Sequence, residues 1–468
     1  MNRSSVRNPR RADLLRWGVL FFFGVLFFVG CNFSGEVHQS YLSGQIMVRP
    51  DVSASEDYSG FRVLVLEADG QSLDTLASAE TDEEGRFGTT VAAPERGIYT
   101  LTLWGRRGNE QLASTDYVVA DGDSATLDAA FPLRRQPLRV RSPENAALDA
   151  YRNTLAQHRS SLVKEFQSDA ANSDAMGRRI RQTSSVLWRL QETFPGTYAS
   201  QLAATESLSL LVGWNDSLVV ERVQSIEPSN PRYVEAVQIG RRAATRLRGQ
   251  TAALDLLDTF EARATTDAQR AGVQAARVQL FVDSLQSEEA LSAARTLRRD
   301  YPNTRWAEWA DRATYEVKNL LPGMEAPAFT AKTVAGDSLS LRSLRGQPVV
   351  LEYFAPGDGL FGRQLATRNT LYEATRPDSV AFVSVSVQPD TLLYRALVNN
   401  RSLPGHSVIA SDGREDPVVK AYNVANVPTR FLIDADGRIV DQYRGGAFLA
   451  LQEDLAKLVD ESLSPGGQ

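Results

Sequence analysis

The side chains that most often act as nucleophiles or metal ligands are rare in this chain of 468 residues. Its one cysteine is Cys31, and its three histidines, His38, His158 and His406, lie far apart without the spacing of a ligand set. A single cysteine cannot form an internal disulfide, a two-thiol relay or a multi-cysteine zinc site. Neither thiol chemistry nor metal chemistry is therefore predicted, and we expect no cofactor.

Two carboxylates remain as candidates for chemistry, Glu352 and Asp358. Glu352 directly follows the apolar run Pro348-Val349-Val350-Leu351, which is typical of a buried parallel strand. Asp358 lies in a glycine-rich turn before a helix predicted over 364–376. An aspartate at a helix start accepts main-chain N–H bonds and is stabilised by the helix dipole. We interpret Asp358 as a helix cap and Glu352 as a partly exposed glutamate at the strand end.

Together these residues form a recognisable stretch. Glu352 to Arg363 resembles the phenylalanine-tryptophan-alanine-x-tryptophan-cysteine-x-x-cysteine run of the TlpA/ResA family of thiol-disulfide oxidoreductases. In that register Asp358 stands at the first cysteine position and Phe361 at the second, so both thiols are missing. The pattern Gly323-x-x-Ala-Pro-x-Phe329 resembles the opening segment that TlpA/ResA proteins share with AhpC/TSA-type peroxiredoxins. Residues 321–468 are thus expected to form an α/β thioredoxin-like fold.

The resemblance also implies what the site should contain. Pro428 is expected to be cis and to face the two redox positions, and Phe361 to fill the space of the second thiol. In active relatives a buried carboxylate at the spacing of Glu352 assists proton transfer, and a groove binds extended peptide. The predicted site therefore has no catalytic residue, and its candidate peptide groove consists of Asp358, Phe361, Val427 and Pro428.

A peroxidase active site is not supported by the same stretch. Peroxiredoxins need proline-x-x-x-threonine-x-x-cysteine, whereas Leu360 and Arg363 stand at the last two positions counted from Pro356. Since the thiolate is the nucleophile in both chemistries, a binding or scaffold module is the preferred hypothesis. The alternative is a thiol-disulfide oxidoreductase or peroxidase, as the family resemblance suggests. A third hypothesis makes the helical middle of the chain the functional part.

The amino terminus has the pattern of a lipoprotein signal. Five arginines precede an apolar stretch of 14 residues, Trp17 to Gly30, which is shorter than the roughly 20 residues of a membrane span. Phe28-Val29-Gly30-Cys31 resembles a bacterial lipobox. This predicts a signal peptide over 1–30 and lipidation of Cys31, which would anchor a periplasm-facing protein in the cell envelope. Asn32 favours the outer membrane, and the alternative is an uncleaved anchor with an incidental cysteine.

Residues 31–41 are predicted to be a tether and residues 42–135 an antiparallel β-sandwich. Short alternating runs separated by glycine turns support the sandwich; they are 43–48, 61–66, 99–104 and 125–128. The acidic turn at 82–85 lacks the alternating ligand spacing of a calcium loop, so a solvated hairpin turn is expected. In its strand order and its Asp-x-x-Gly-x-Phe turn at Asp82 to Phe87, this region resembles the small β-domain that precedes the thioredoxin domain in many envelope lipoproteins of this family.

Residues 136–320 have apolar residues at helical spacing and are predicted to be a helical domain. Six helices are expected, over 146–166, 176–194, 231–248, 251–264, 267–285 and 288–301. The segment Phe194-Pro195-Gly196-Thr197 is echoed by Tyr301-Pro302-Asn303-Thr304, which resembles the corner of tetratricopeptide-like repeats. A plain helical connector is the alternative to a repeat array.

Composition agrees with a multidomain globular protein. Apolar residues make up 43% and charged residues 23% of the chain, enough for roughly three cored domains. The net charge of −6 gives no basis for nucleic-acid binding, which needs a basic patch. The expected partners are the membrane, through the lipid anchor, and an envelope protein or peptide.

Overall fold

The computed structural model describes residues 37–51, 56–69, 72–106, 110–133, 138–166, 173–378, 380–388, 392–399 and 403–463. The predicted signal peptide, the lipidation of Cys31 and the first part of the tether lie outside the described residues. From Val37 onward the chain passes from strands through helices to an α/β unit. No helix in these ranges is long and apolar enough to cross a lipid bilayer.

Two four-stranded sheets form the first part of the described chain. Their strands are β1 His38–Val48, β2 Arg62–Asp69, β3 Ser72–Glu80, β4 Arg86–Ala93, β5 Gly97–Trp104, β6 Gln111–Val119, β7 Ser124–Phe131 and β8 Val140–Arg141. One sheet has the order β4-β1-β7-β8 and the other β3-β2-β5-β6. Both sheets contribute to one shared core, where Leu42 and Leu127 meet Val63 and Leu101. The sheets therefore pack face to face as a sandwich.

Four details of this sandwich differ from the prediction. Its last strand, β8, lies beyond residue 135 and within the range predicted to be helical, because it pairs with β7. The sheets are not wholly antiparallel, because β1 pairs in parallel with β7. β1 begins at His38, inside the predicted tether, because pairing with β4 extends the strand to that residue. The acidic turn is tight, with Gly85 at φ +77°, but it joins strands of different sheets and so is not a hairpin turn.

Nine helices follow in the described residues up to Asn319. They are α1 Pro143–Phe166, α2 Ser173–Thr193, α3 Tyr198–Leu211, α4 Asp216–Val223, α5 Tyr233–Arg248, α6 Gln250–Arg263, α7 Asp267–Asp283, α8 Ser287–Asp300 and α9 Arg305–Asn319. The sequence prediction did not include α3, α4 and α9. It missed α9 although the buried residues Ala310, Ala313 and Val317 have helical spacing. Most residues of α3 are buried, so it lacks a polar face and hence a clear helical period, and α4 has only 8 residues.

The two echoed corners have the same local geometry. Thr197 Oγ1 donates a hydrogen bond to the carbonyl of Phe194, and Thr304 Oγ1 donates one to the carbonyl of Tyr301, each at 2.9 Å. Each threonine stands immediately before a helix, at the N-cap of α3 or of α9. This similarity agrees with a helical repeat, and the tetratricopeptide-like assignment stays a prediction.

The last part of the chain is an α/β unit. Its elements are β9 Thr330–Lys332, β10 Ser338–Ser340, β11 Val349–Phe354, α10 Gly359–Thr375, β12 Ala381–Ser386, α11 Leu392–Asn399, β13 His406–Ile409, α12 Pro417–Ala421, β14 Thr429–Ile433, β15 Ile439–Arg444 and α13 Phe448–Leu463. The central sheet has the order β13-β12-β11-β14-β15. β13, β12 and β11 are parallel to one another, whereas β14 is antiparallel to both of its neighbours, β11 and β15. This is the thioredoxin-like arrangement that the sequence predicts.

Each face of the central sheet is covered. On one face Val350 and Phe382 pack with Leu451 and Leu455 of α13. On the other face Leu351 lies in a second cluster, together with residues of the opening segment and of α12. Because both faces are buried, every residue of β11, β12 and β14 is buried as well. Any polar side chain in these strands therefore needs a partner inside the domain.

Candidate functional site

Asp358 and Phe361, the residues predicted to stand at the redox positions, lie where β11 passes into α10. Asp358 is the N-cap of α10, and its carboxylate accepts a hydrogen bond from the main-chain N–H of Phe361 at 2.7 Å. This is the capping role predicted from the sequence. Phe361 is 1% exposed and stacks on Phe354, with ring centroids 4.2 Å apart. An aromatic pair thus fills the interior beneath the turn.

The proline loop lies on the same side of the domain. The peptide bond between Val427 and Pro428 is cis, as the resemblance implies. The carbonyl of Pro428 accepts a hydrogen bond from Gly445 N at 2.8 Å, and Gln364 of α10 donates to the carbonyl of Gly445 at 3.2 Å. Gly445 therefore connects the start of α10 to the proline loop.

The four predicted groove residues differ in accessibility. Phe361 and Pro428 are buried, so their side chains cannot offer the contact surface that the sequence prediction gave them. Asp358 and Val427 are partly exposed. The main-chain N–H and C=O of Val427 have no hydrogen-bond partner in the part of the chain that the structure describes. The accessible part of the predicted groove is thus main chain at Val427 together with the carboxylate of Asp358.

A buried charge cluster lies beneath this surface. Glu352 of β11 is paired in register with Ser384 of β12 and with Arg430 of β14, so three polar side chains are neighbours across the sheet. Arg368 of α10 joins them on the same face. The side chains of Glu352, Arg368 and Arg430 are each only 1% exposed.

Hydrogen bonds hold this cluster together. Glu352 Oε1 accepts bonds from Arg368 Nε at 2.8 Å and from Ser384 Oγ at 2.7 Å, and Oε2 accepts one from Arg430 Nε at 3.2 Å. Arg368 also donates to the carbonyl of Pro404 at 2.7 Å. The guanidinium carbon of Arg368 lies 4.9 Å from the ring centroid of Phe382, and that of Arg430 lies 4.8 Å from the ring centroid of Phe448.

In this cluster one carboxylate, that of Glu352, forms ion pairs with two guanidinium groups. Burial alone would raise the pKa of Glu352, but attraction to Arg368 and Arg430 and the bond from Ser384 outweigh it and hold the pKa below its usual value. Burial, together with repulsion from Arg368, lowers the pKa of Arg430 despite its pairing with Glu352. Arg430 Nη2 is buried and has no hydrogen-bond partner among the described residues. Glu352 is therefore a fixed anion at neutral pH and is unsuited to accept and release a proton.

The interpretation of Glu352 as a partly exposed strand-end residue is wrong. It lies inside a strand whose six residues are all buried, because β12 and β14 flank that strand. The sequence analysis also missed Arg368, Ser384 and Arg430. A usable signal was present: Glu352 and Arg430 each interrupt an otherwise apolar strand, where a charge requires a buried partner.

Other chemistry has little support in the described ranges. They hold no group of three or more His, Cys, Asp or Glu side chains that could bind a metal ion. His38 is hydrogen-bonded to Asp121, and His158 is hydrogen-bonded to Thr183. Both histidines thus have structural partners.

Comparison with known proteins assigns this part of the chain. The AhpC/TSA family model matches residues 322–442. The thiol-disulfide oxidoreductase ResA of Bacillus thuringiensis is 27% identical over 123 residues, which is 26% of this chain and 69% of that protein. ResA of Geobacillus kaustophilus is 30% identical over 117 residues, or 25% of this chain and 66% of that protein. The C-terminal domain is therefore thioredoxin-like and of the TlpA/ResA type.

Solved structures give matches of similar extent. A putative thiol:disulfide interchange protein DsbE from Chlorobium tepidum matches over 100% of its own chain and 31% of this chain, with 24% identity and a TM-score of 0.27. The thioredoxin domain of a thiol-disulfide oxidoreductase from Bacteroides vulgatus covers 30% of this chain and 99% of its own, with 22% identity and a TM-score of 0.27.

Proposed function

We propose that this chain is a lipid-anchored cell-envelope protein whose thioredoxin-like domain binds protein segments without exchanging electrons. The observation that carries the proposal is that non-cysteine residues stand at the two predicted redox positions. Asp358 is used as a helix cap and Phe361 as a buried aromatic, so neither position offers a nucleophilic sulfur. Both replacements fit the local structure, and the domain is well packed without the thiols.

The charge cluster supports the same conclusion. Redox relatives are expected to use a carboxylate at the position of Glu352 for proton transfer. Here two guanidinium groups hold Glu352 ionised, and its pKa is below the ordinary value. A residue that remains deprotonated at neutral pH is a poor proton carrier. We infer that this residue now serves structure rather than catalysis.

Peptide binding is supported by the unpaired main chain at Val427. An extended peptide could form a short ladder with its free N–H and C=O, a mode in which main-chain bonds supply affinity. Pro428 fixes the chain direction at this point, and Gly445 holds the loop against α10.

Two assays on the full-length protein in detergent test the proposal. Insulin reduction and peroxide consumption should stay at the buffer blank, with an active thioredoxin as the positive control for the first assay. Turnover above the blank would favour the alternative, a thiol-disulfide oxidoreductase or peroxidase.

Binding is tested with arrayed extended peptides and two variants of Val427. Val427→Pro removes the main-chain donor and should weaken peptide binding by about 0.5–1.5 kcal/mol, or two- to tenfold. Val427→Ala keeps the donor and serves as the matched control. Hydrogen exchange in β14 should be the same in both variants, which shows that the sheet is intact. Equal peptide affinities of the two variants would argue against main-chain pairing at this residue.

A further inference from the structure

A cavity of about 150 Å³ separates the helical region from the loop that leads to Pro428. Residues of α7 and α9 form one wall, and residues of the loop, β14 and β15 form the other. The helical wall includes Trp309, Arg312 and Glu316, and the opposite wall includes Asn426, Gln442 and Arg444. A cavity of about 150 Å³ can hold a benzene molecule, so a group the size of one side chain fits.

Direct contacts fix the two walls relative to each other. Asn423 donates a hydrogen bond to the carbonyl of Arg312 at 2.9 Å, and the hydroxyl of Tyr315 donates to the carbonyl of Ala421 at 3.0 Å. Arg444 and Glu316 form an ion pair at 2.6 Å. The loop before Pro428 is thus faced by a helix of the same chain, which leaves a bounded cavity instead of an open surface.

The helical wall presents one face of α9. Trp309, Arg312 and Glu316 are spaced three and four residues apart, so their side chains lie on the same side of the helix. Glu316 is neutralised by Arg444. The guanidinium of Arg312 has no hydrogen bond or ion pair to any residue that the structure describes. Arg312 is exposed to solvent, and it adds to the cavity lining a positive charge that no described residue pairs with.

Neutral hydrogen-bonding groups surround this charge. The side-chain amide of Asn426 is without a partner within the described ranges, and Gln442 uses only its oxygen, which accepts a bond from Arg444 at 2.8 Å. Amide side chains can both donate to and accept from a peptide main chain. A guanidinium binds a carboxylate through two parallel N–H bonds.

We propose that this cavity binds a carboxylate carried on an extended peptide, with Arg312 as the residue that recognises the charge. The inference rests on the proposed function, because Val427 would hold the same peptide through its main chain. The site is then composite. The thioredoxin-like domain supplies the strand-pairing group, and α9 of the helical region supplies the charge preference. The carboxylate comes either from the end of the peptide or from an acidic side chain.

Three synthetic peptides distinguish these sources. Each is a short acetylated peptide of alternating alanine and threonine: one has a free carboxyl terminus, one is amidated, and one is amidated with a single internal glutamate. Binding to the full-length protein is followed by calorimetry and by the fluorescence of Trp309, with Trp309→Phe as the control for the origin of the signal. We expect at least one charged peptide to bind about tenfold or more tightly than the neutral one.

Substitution of Arg312 tests its role directly. Arg312→Gln should weaken the charged peptide by about ten- to a hundredfold and leave the neutral peptide unchanged. Lys318→Gln removes the same charge from another face of α9 and should have no effect. Hydrogen exchange over Ala421 to Pro428 should be equal in both variants, which shows that the two walls remain in contact.

The possible outcomes separate this inference from the proposed function. Equal binding of charged and neutral peptides, or equal behaviour of the Arg312 and Lys318 variants, would overturn the role of Arg312. If the neutral peptide still binds and Val427→Pro weakens it, the proposed function stands although the inference fails. If no peptide binds the wild-type protein, both are wrong.

Discussion

Replacing Glu352 by glutamine should destabilise the thioredoxin-like domain strongly. Glutamine has the same shape but no charge, so Arg368 and Arg430 become two buried cations without a counter-ion. Removing one partner of a buried ion pair costs about 3–5 kcal/mol, because the remaining charge stays desolvated. For a domain of roughly this size such a loss lowers the Tm by about 10–15 °C.

The effect is best measured where the cluster lies. Hydrogen exchange of peptides from β11, β12 and β14 in the full-length protein reports on this sheet without requiring a two-state transition of the whole chain. Glu373→Gln, at an exposed position of α10, is the matched control and should change stability by no more than about 0.5 kcal/mol. If Glu352→Gln lowers the stability of the sheet no more than Glu373→Gln does, the assignment of Glu352 as a stabilising buried anion is incorrect.

The two arginines should not be equivalent. Arg430→Met leaves Glu352 and Arg368 as a neutral pair. It also removes a guanidinium whose Nη2 has no hydrogen-bond partner in the described part of the chain. Arg368→Met also leaves a neutral pair, but it removes the donor to Ser384 and to the carbonyl of Pro404. We therefore expect the loss of stability to rise from Arg430→Met through Arg368→Met to Glu352→Gln. An inverted order would show that net charge does not govern this cluster.

Acid should remove the contribution of Glu352. The folded state lowers the pKa of this carboxyl, so its stabilisation is fully present above the pKa of the unfolded chain, about 4.3. It is lost as the pH falls through the lower folded-state pKa, where protonation leaves the two arginines unpaired. The difference in exchange protection between wild type and Glu352→Gln should hence be constant from about pH 5 to 7 and shrink below about pH 4. A constant difference down to strongly acidic pH would contradict this linkage.

Three further substitutions have defined outcomes. Asp358→Ala should cost about 1 kcal/mol through loss of the α10 cap, measured by exchange in the first turn, and Asp358→Asn should recover most of it. Phe361→Ala should cost about 3–5 kcal/mol in denaturant unfolding, because it leaves a void against Phe354, whereas Phe361→Leu should cost less. Cys31→Ala should abolish labelling by a fatty-acid analogue and move the protein out of the detergent phase; retention of both would refute lipidation.

Parts of the fold could be predicted from short-range patterns. The alternation of Phe61-Arg62-Val63-Leu64 predicted β2, and the apolar periodicity after Asp267 predicted α7, because burial on one face leaves a regular trace. The helix cap at Asp358 could also be predicted from local sequence, because it depends on one side chain and a main-chain N–H three residues later. By contrast, α3 is buried on most sides and shows no such trace.

The sequence by itself determined what this protein lacks and which fold its last third adopts. Missing thiols are visible in composition, and the strand, turn and helix around Asp358 follow from neighbouring residues. Only the tertiary structure decided the environment of Glu352, since Ser384, Arg368 and Arg430 reach it through strand register and helix packing over long sequence separations. The same holds for the cavity between α9 and the proline loop: its walls come from distant segments, and their approach depends on the packing of whole domains.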